Sequence, residues 1–294
     1  MAAAVDQRQS QIVLGLDPDP AQLWPQATEK VAGSGAGEQA ANAVIDHCCR
    51  LIDAAAPACV AVKPQLACFE RLAAPGRAAL GAVVAHAKSA GLVVIADGKR
   101  GDIDVSAAAY CQSLVGQTAT EFGEVDGLGA DAITVNPYMG VDTLRVMIDG
   151  ARKNAAGVFV LVRTSNPGAA DFEDLELAGG GTLWERVAQS VGQLGDGSEL
   201  SDVGAVVGAT APQHVARMRE LMPRTVFLLP GIGAQGGKVE ELAAAFAPGR
   251  AGGLITASRS IVFAYEKNGG SPADAARKQA EALREESWAL GAGG

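Results

Sequence analysis

The chain has 294 residues, of which 48% are apolar and only 4% aromatic, and its formal net charge is −9. The length suits one large domain or two ordinary ones, because α/β barrels run to about 250 residues as a single unit. The negative charge argues against broad binding to nucleic acids or membranes, which attract basic proteins. An anionic small-molecule substrate would instead need a local cluster of Lys and Arg.

The cysteines and histidines are too scattered to predict a metal site or a Ser-His-Asp triad. No two cysteines form a C-x-x-C pair, and the three histidines lie far apart in helix-like segments. This pattern favours buried, reduced thiols in a cytosolic protein. The residues concerned are Cys48, Cys49, Cys59, Cys68, Cys111, His47, His86 and His214.

The N-terminal segment reads MAAAVDQRQSQIVLGLD and lacks the basic start and long apolar run of a secretion signal. No stretch of the chain reaches the roughly 18 uncharged apolar residues that a membrane span needs. We therefore expect a soluble, cytoplasmic protein.

Eight short apolar runs recur along the chain, each separated from the next by a polar or Gly/Pro break and an amphipathic stretch. They are rich in Val, Ile and Leu, which is the form of a strand buried on both faces. In chain order the predicted strands are Ile12–Leu16, Cys59–Val62, Leu92–Ala96, Ala132–Val135, Val158–Val162, Ala205–Val207, Val226–Leu229 and Gly253–Thr256.

Amphipathic segments between these runs predict helices. In the first, Val44, Cys48 and Leu51 belong to an apolar stripe with the period of an α-helix. The sequence from Ser271 to Asp274 combines an N-cap residue, a Pro at the first helical position and an acid in the first turn, so a last helix should run from there to about Trp288. The earlier predicted helices are Glu38–Ala56, Gly76–Ala90, Val141–Lys153, Leu183–Leu194, Gln213–Met222 and Lys238–Phe246.

Strand and helix alternate eight times, which is the sequence pattern of the (β/α)8 or TIM barrel. We therefore predict an α/β protein with a single barrel domain over residues 1–294, whose strands run from about residue 12 to residue 256. The alternative is an open, doubly wound sheet. Such sheets usually have fewer strands, and no G-x-G-x-x-G follows the first strand here.

Charged or turn-forming residues follow six of the eight runs. In a TIM barrel the active site forms at the C-terminal ends of the strands, so these residues are the candidates for chemistry. A purely structural barrel has no reason to place two Lys and three Asp on one rim. The residues concerned are Asp17, Lys63, Asp97–Asp102, Thr164–Gly168, Pro230–Gly237 and Ser258–Ser260.

An alternating Lys–Asp–Lys array is the first candidate site. Asp97 and Lys99 are two apart, so in an extended strand they project to the same side, and Lys63 could flank Asp97 from the neighbouring strand. Asp102 could close the array from the same chain or reach into a neighbouring subunit. The alternative is a solvated salt-bridge cluster, but Lys63 and Asp17 at equivalent strand ends favour a catalytic array.

An anion grip is the second candidate site, formed by the loop Pro230–Gly237 together with Arg259. The loops after the seventh and eighth strands commonly bind phosphate in this fold. Glycines let backbone N–H groups approach an anion, and a guanidinium can donate two hydrogen bonds to it. The alternative is a Gly-rich turn beside a surface arginine.

These residues together resemble the signature of the orotidine 5'-phosphate decarboxylase family. The resemblance extends from about Ile12 to Phe263, and the segments Asn136–Gly140 and Thr164–Gly168 look most like the longer bacterial branch. The matching residues are Asp17, Lys63, Asp97, Lys99, Asp102, Ile103, Pro230, Gly231, Gly233, Gln235, Gly236 and Arg259.

The resemblance implies a homodimer with shared active sites that converts orotidine 5'-phosphate to UMP and CO2 in pyrimidine biosynthesis, without metal or organic cofactor. Lys99 would stabilise and then protonate a carbanion at C6 of the pyrimidine. The resemblance implies two groups of site residues, one catalytic and one that binds the substrate. The catalytic array would be Lys63, Asp97, Lys99 and the partner's Asp102, and substrate would be bound by Asp17, the partner's Ile103, Ser165, Pro230, Gly231, Gly233, Gln235, Ser258 and Arg259.

Two other functions fit the pattern less well. Sugar-phosphate decarboxylases and hexulose-phosphate synthases share D-x-K-x-x-D but resemble Mg²⁺ enzymes with Glu at the second strand end, where this chain has Lys63. A cation there would repel Mg²⁺. A catalytically silent nucleotide sensor on the same scaffold would have no need of Lys99.

Overall fold

The computed structural model describes residues 1–233 and 235–291. The strands among these residues are β1 (Ile12–Leu16), β2 (Ala61–Pro64), β3 (Val93–Arg100), β4 (Gln117–Thr120), β5 (Gly123–Asp126), β6 (Ala132–Val135), β7 (Gly157–Arg163), β8 (Val203–Val207), β9 (Phe227–Leu229) and β10 (Gly253–Ala257). All except β4 and β5 run parallel and close a barrel, in which each strand pairs with its neighbours in chain order and β10 pairs with β1.

All eight predicted barrel strands are present, so the prediction of a TIM barrel is confirmed. The open doubly wound sheet is excluded because the ring of strand pairs is closed. All strand bounds but one agree with the predicted ones to within two residues. The exception is β3, which continues past the predicted end at Ala96 as far as Arg100.

Helices cover the outside of the barrel. Helices α6 and α8 have the predicted bounds, and α12 starts as predicted, because the Ser271 hydroxyl accepts a hydrogen bond from the Asp274 amide (3.2 Å). No helix within the described ranges is both long and apolar enough to cross a membrane. The α-helices are α1 (Ala2–Arg8), α2 (Ala36–Ala55), α3 (Leu66–Glu70), α4 (Ala73–Ser89), α5 (Asp104–Leu114), α6 (Val141–Lys153), α7 (Ala169–Phe172), α8 (Leu183–Leu194), α9 (Val215–Leu221), α10 (Arg259–Val262), α11 (Ala264–Asn268) and α12 (Pro272–Leu290).

Two predicted helices differ in type. The segment predicted as Gln213–Met222 begins with a 3₁₀ turn, Pro212–His214, before α9. The segment predicted as Lys238–Phe246 is the 3₁₀ helix Val239–Phe246, which is kinked at Leu242. The kink divides the second segment into two short pieces, and 3₁₀ turns are common in such pieces.

The sequence pattern missed α1, α5, the β4–β5 hairpin and the short helices α3, α7, α10 and α11. Helix α5 buries only Ala107, Cys111 and Leu114, so its apolar stripe is weak. Every residue of β4 and β5 is exposed, and the hairpin therefore has no apolar face from which to predict it.

Alternate residues of the barrel strands enter two separate cores. On β1, Ile12 and Leu14 pack outward against the helices, whereas Val13 joins a second cluster with Ile95 and Phe159. Val5 of α1 belongs to this second cluster, so α1 helps to close the barrel at the N-terminal ends of the strands. The inside of the barrel is therefore filled with apolar side chains.

Arg219 of α9 ties several backbone segments together beneath the barrel. Its guanidinium donates to four backbone carbonyls at distances between 2.6 and 3.1 Å and lies 3.7 Å from the centroid of the Phe227 ring. Arg217 on the same helix instead forms exposed ion pairs with Glu185 and Glu220.

We predict that Arg219→Met lowers the free energy of unfolding by about 3 kcal/mol or more, because hydrogen bonds to charged groups contribute about 1.5–3 kcal/mol each and the carbonyls would be left unpaired. The matched control Arg217→Met should change stability little, because exposed ion pairs contribute little. Urea unfolding of both variants tests this prediction. Equal losses in the free energy of unfolding would show that the buried hydrogen bonds of Arg219 do not stabilise the fold more than the exposed ion pairs of Arg217.

Candidate active site

A cavity of about 360 Å³ opens at the C-terminal ends of the barrel strands. It contains ten of the residues predicted to form the site. The full lining is Asp17, Lys63, Gln65, Asp97, Lys99, Thr134, Thr164, Ser165, Asn166, Val206, Leu228, Pro230, Gly231, Ile232, Gln235, Thr256, Ser258 and Arg259. The predicted array and the predicted anion grip therefore share one cavity.

The Asp97 carboxylate lies at the centre of the array and is 4% exposed. Its Oδ1 accepts hydrogen bonds from Lys99 Nζ (2.7 Å) and Thr134 Oγ1 (2.8 Å). Its Oδ2 accepts from Lys63 Nζ and from Gln65 Nε2 (3.3 Å). A carboxylate has about four lone-pair sites, so these donors occupy them and fix the orientation of the group.

Burial and charge oppose each other in this array. Burial would raise the pKa of Asp97, but the charges of Lys63 and Lys99 outweigh it and hold the pKa at about 2. Burial would also lower the pKa of Lys63, yet the charges of Asp97 and Asp17 outweigh it and the pKa is raised. Asp97 and Lys63 are therefore both ionised at neutral pH.

The backbone at Lys99 departs from the extended conformation that the sequence analysis assumed. Lys99 has φ +48°, in the left-handed region, and the pairing of β3 with β6 shifts register between Ala96 and Arg100. A left-handed conformation costs a residue with a side chain about 1–2 kcal/mol. The Lys99 ammonium still meets Asp97, and its side chain remains 42% exposed towards the cavity mouth.

Asp102 and Ile103 are predicted site residues that the single chain leaves outside the cavity. Asp102 Oδ1 accepts a hydrogen bond from its neighbour's amide, Ile103 N (2.8 Å), and the Ile103 side chain is 57% exposed. Within the described residues, Asp102 thus does not close the array of its own chain.

The predicted anion grip lies on the opposite side of the cavity from the array's strands. Gly231 has φ +108°, and a Cβ there would lie 3.0 Å from Gln235 Oε1, so only glycine suits this turn. Gly233 belongs to the loop but does not line the cavity, and Ala234 lies outside the described residues.

Arg259 is positioned to bind an anion. It is the one arginine of the cavity lining within the described chain. It also takes no part in the salt bridges formed among residues 1–233 and 235–291. A guanidinium with no carboxylate partner can use its N–H groups for an anionic ligand.

Eight residues of the lining were given no role from the sequence. Gln65 follows Lys63 by two residues, so its position on the same face was a usable signal. Thr164, Asn166 and Ile232 belong to strand-end segments that were named as candidates. The remaining four lie inside the apolar runs predicted as strands and are Thr134, Val206, Leu228 and Thr256.

Two named proteins and one solved structure are similar to this chain over most of its length. A protein of Rhodopirellula baltica named orotidine 5'-phosphate decarboxylase is 40% identical over 269 residues, which cover 90% of this chain and 87% of that protein. The enzyme of that name from Deinococcus radiodurans is 45% identical over 241 residues, covering 80% and 82%. The structure of Leishmania donovani OMP decarboxylase has 31% identity and a TM-score of 0.73, and the match covers 97% of this chain and 98% of that one.

Fold and cavity define a TIM-barrel enzyme that presents charged residues and a glycine-rich loop at the C-terminal ends of its strands. The sequence model of the orotidine 5'-phosphate decarboxylase / HUMPS family matches residues 10–277. The chain belongs to this family.

We predict that Asp97→Asn lowers the free energy of unfolding at neutral pH by about 3 kcal/mol or more, because it leaves the buried Lys63 ammonium without its main partner. Burial would then lower the pKa of Lys63 below its unfolded value. Between those two pKa values the unfolded chain binds more protons, so the variant should gain stability as pH rises.

The wild type should behave differently over the same range. The pKa of its Lys63 is raised, so the contribution of Lys63 persists below the unfolded pKa and is lost only as pH rises through the folded pKa. The contribution of Asp97 is present above its unfolded pKa and is lost only as pH falls towards about 2. Urea unfolding of both proteins from neutral to alkaline pH measures this, and parallel profiles would contradict it.

Proposed function

We propose that the cavity binds orotidine 5'-phosphate and that Lys99 stabilises and protonates the C6 carbanion left by decarboxylation. The overall reaction, which gives UMP and CO2, is that of a carboxy-lyase of pyrimidine biosynthesis, as in the named relatives. The observation that carries the mechanism is the Lys99 ammonium, which is 2.7 Å from a fully hydrogen-bonded carboxylate and exposed at the cavity.

The chemistry requires a proton donor beside the reacting carbon. When the bond from C6 to the carboxylate breaks, its electron pair stays on C6 and the pyrimidine offers no evident electron sink. An ammonium at that point stabilises the developing negative charge and then transfers a proton to form the C6–H bond. The resulting neutral amine of Lys99 regains its proton from solvent.

Asp97 holds Lys99 in place in this mechanism. All four acceptor positions of the carboxylate have donors, which supports a positioning role over that of a base. Lys63 keeps the charge on Asp97 balanced from the neighbouring strand. It and Asp17 would also contact the ribose hydroxyls, and Ser165 the pyrimidine edge.

The phosphate would occupy the other side of the cavity. Arg259 and Gln235 bind it, together with the backbone around Pro230, Gly231, Gly233 and Ser258. This anion is remote from the bond that breaks, so its binding energy can drive loop closure and exclude water. The unpaired guanidinium of Arg259 among the described residues supports this assignment.

The active site would be completed by a second copy of the chain, with Asp102 and Ile103 donated across a homodimer interface. Exposed large apolar side chains near the cavity rim support this, since such patches mark protein–protein contacts. They are Ile103 (57%), Val105 (82%), Tyr138 (92%) and Met139 (41%). The protein would work in the cytoplasm, where free thiols such as those of its five cysteines stay reduced.

An assay for UMP formation in the presence of EDTA tests the proposed reaction. The Mg²⁺-dependent sugar-phosphate branch is disfavoured by the buried Lys63 ammonium at the second strand end, and a silent sensor is disfavoured by Lys99. We expect turnover that survives chelation. Turnover lost on chelation would favour the Mg²⁺ branch, and tight UMP binding without turnover would favour the sensor.

We predict that Lys99→Ala lowers kcat by at least about 10³-fold, because the variant loses both the proton donor and the cationic stabilisation. The fold should remain, because a rim residue contributes little to the core. The exposed Lys153→Ala is the matched control and should keep full activity. UMP formation and urea unfolding measure both effects, and near-normal activity of Lys99→Ala would refute its role as proton donor.

We predict that Arg259→Ala raises KM for orotidine 5'-phosphate by about 10²-fold or more, because a charge-assisted bond to the phosphate is lost. Decarboxylation of phosphate-free orotidine should change little. The exposed Arg145→Ala serves as control. Steady-state kinetics on both substrates decide the matter, and equal losses on the two would rule out the phosphate grip.

A further inference from the structure

We propose that Thr134 and Asn136 of the β6 segment are positioning residues that hold the backbone of Lys99 in its left-handed conformation and thereby fix its ammonium beside Asp97. This inference deepens the proposed function and rests on it. Both side chains are uncharged, and neither residue was among the candidates named at the strand ends from the sequence.

The irregular pairing of β3 with β6 explains why the backbone of Lys99 needs residues that hold it in place. Ala96 pairs with Ile133 and Arg100 with Val135, so residues 97–99 of β3 stand opposite Thr134 alone. A bulge of this kind re-aims a side chain beside an active site. Lys99, with φ +48°, is the residue re-aimed. A strained conformation persists only where the surroundings determine it.

Both backbone polar groups of Lys99 form hydrogen bonds with side chains of β6 and of the residue that follows it. The Lys99 N–H donates to Thr134 Oγ1 (2.9 Å), and its carbonyl accepts from Asn136 Nδ2 (3.0 Å). These bonds replace the ladder hydrogen bonds that the bulge interrupts. A Cβ on Gly101 would lie 2.6 Å from Asn136 Nδ2, so the amide is packed directly against the turn that follows Lys99.

The Thr134 hydroxyl links the backbone of Lys99 to the partner of its ammonium. It accepts from the Lys99 N–H and donates its proton to Asp97 Oδ1 (2.8 Å), the oxygen that also accepts from Lys99 Nζ. Thr134 is 1% exposed, so water does not compete for these bonds. One buried hydroxyl therefore fixes the Lys99 backbone relative to the Asp97 carboxylate, to which the Lys99 ammonium is bonded.

The experiment compares kcat and KM for orotidine 5'-phosphate in the wild type and in Thr134→Val, Thr134→Ser, Asn136→Ala and Thr143→Val. Thr134→Val keeps the side-chain shape and removes the hydroxyl. Because a misplacement of about 1 Å costs on the order of 10²-fold in rate, we expect kcat to fall by about 10–100-fold while KM changes by less than about threefold. Thr134→Ser, which keeps the hydroxyl, should recover most of the loss.

Thr143→Val is the matched control, because Thr143 is also buried and its hydroxyl donates to the Gly140 carbonyl (2.8 Å) outside the cavity. It should lose stability in urea without a change in kcat. If Thr134→Val keeps the wild-type kcat, or if Thr134→Ser and Thr134→Val lower kcat equally, the proposal that the Thr134 hydroxyl positions Lys99 is wrong. If Thr134→Val does not fold, Asn136→Ala decides, with an expected loss in kcat of about tenfold. A wild type without turnover would instead overturn the proposed function itself.

Discussion

The balance of charge around the buried Asp97 carboxylate is the interaction on which the site depends. An ionised carboxylate removed from water is very unfavourable unless it is paired and hydrogen-bonded. Lys63 and Lys99 supply the charge, and Gln65 and Thr134 supply the remaining donors. The closed barrel makes this arrangement possible, because adjacent parallel strands bring all these side chains to one rim at fixed spacing.

Much of this arrangement could be predicted from sequence, for a definite reason. Strands of a parallel barrel are buried on both faces, so each reads as an apolar run, and the first polar residue after a run marks the rim. Asp17, Lys63 and Asp97 were found in that way, and all three line the cavity. The same rule located the glycine loop before Arg259.

The rest could not be predicted, because the deciding contacts are tertiary. Thr134 and Thr256 lie inside strands and read as ordinary β-branched residues, yet they face the cavity. The bulge at Lys99 depends on side chains of another strand, so the sequence suggested a regular extended segment instead. The placement of Asp102 outside its own cavity likewise follows from the course of the chain after β3.

The exposed β4–β5 hairpin has a consequence for how this barrel can change over time. It lies between α5 and β6, at the end of the barrel opposite the cavity, and none of its residues is buried. Insertions or deletions at such a place leave the packed layers intact. The hairpin is therefore a position at which the chain can lengthen, shorten or accept a fused reporter without disturbing the packed layers of the barrel.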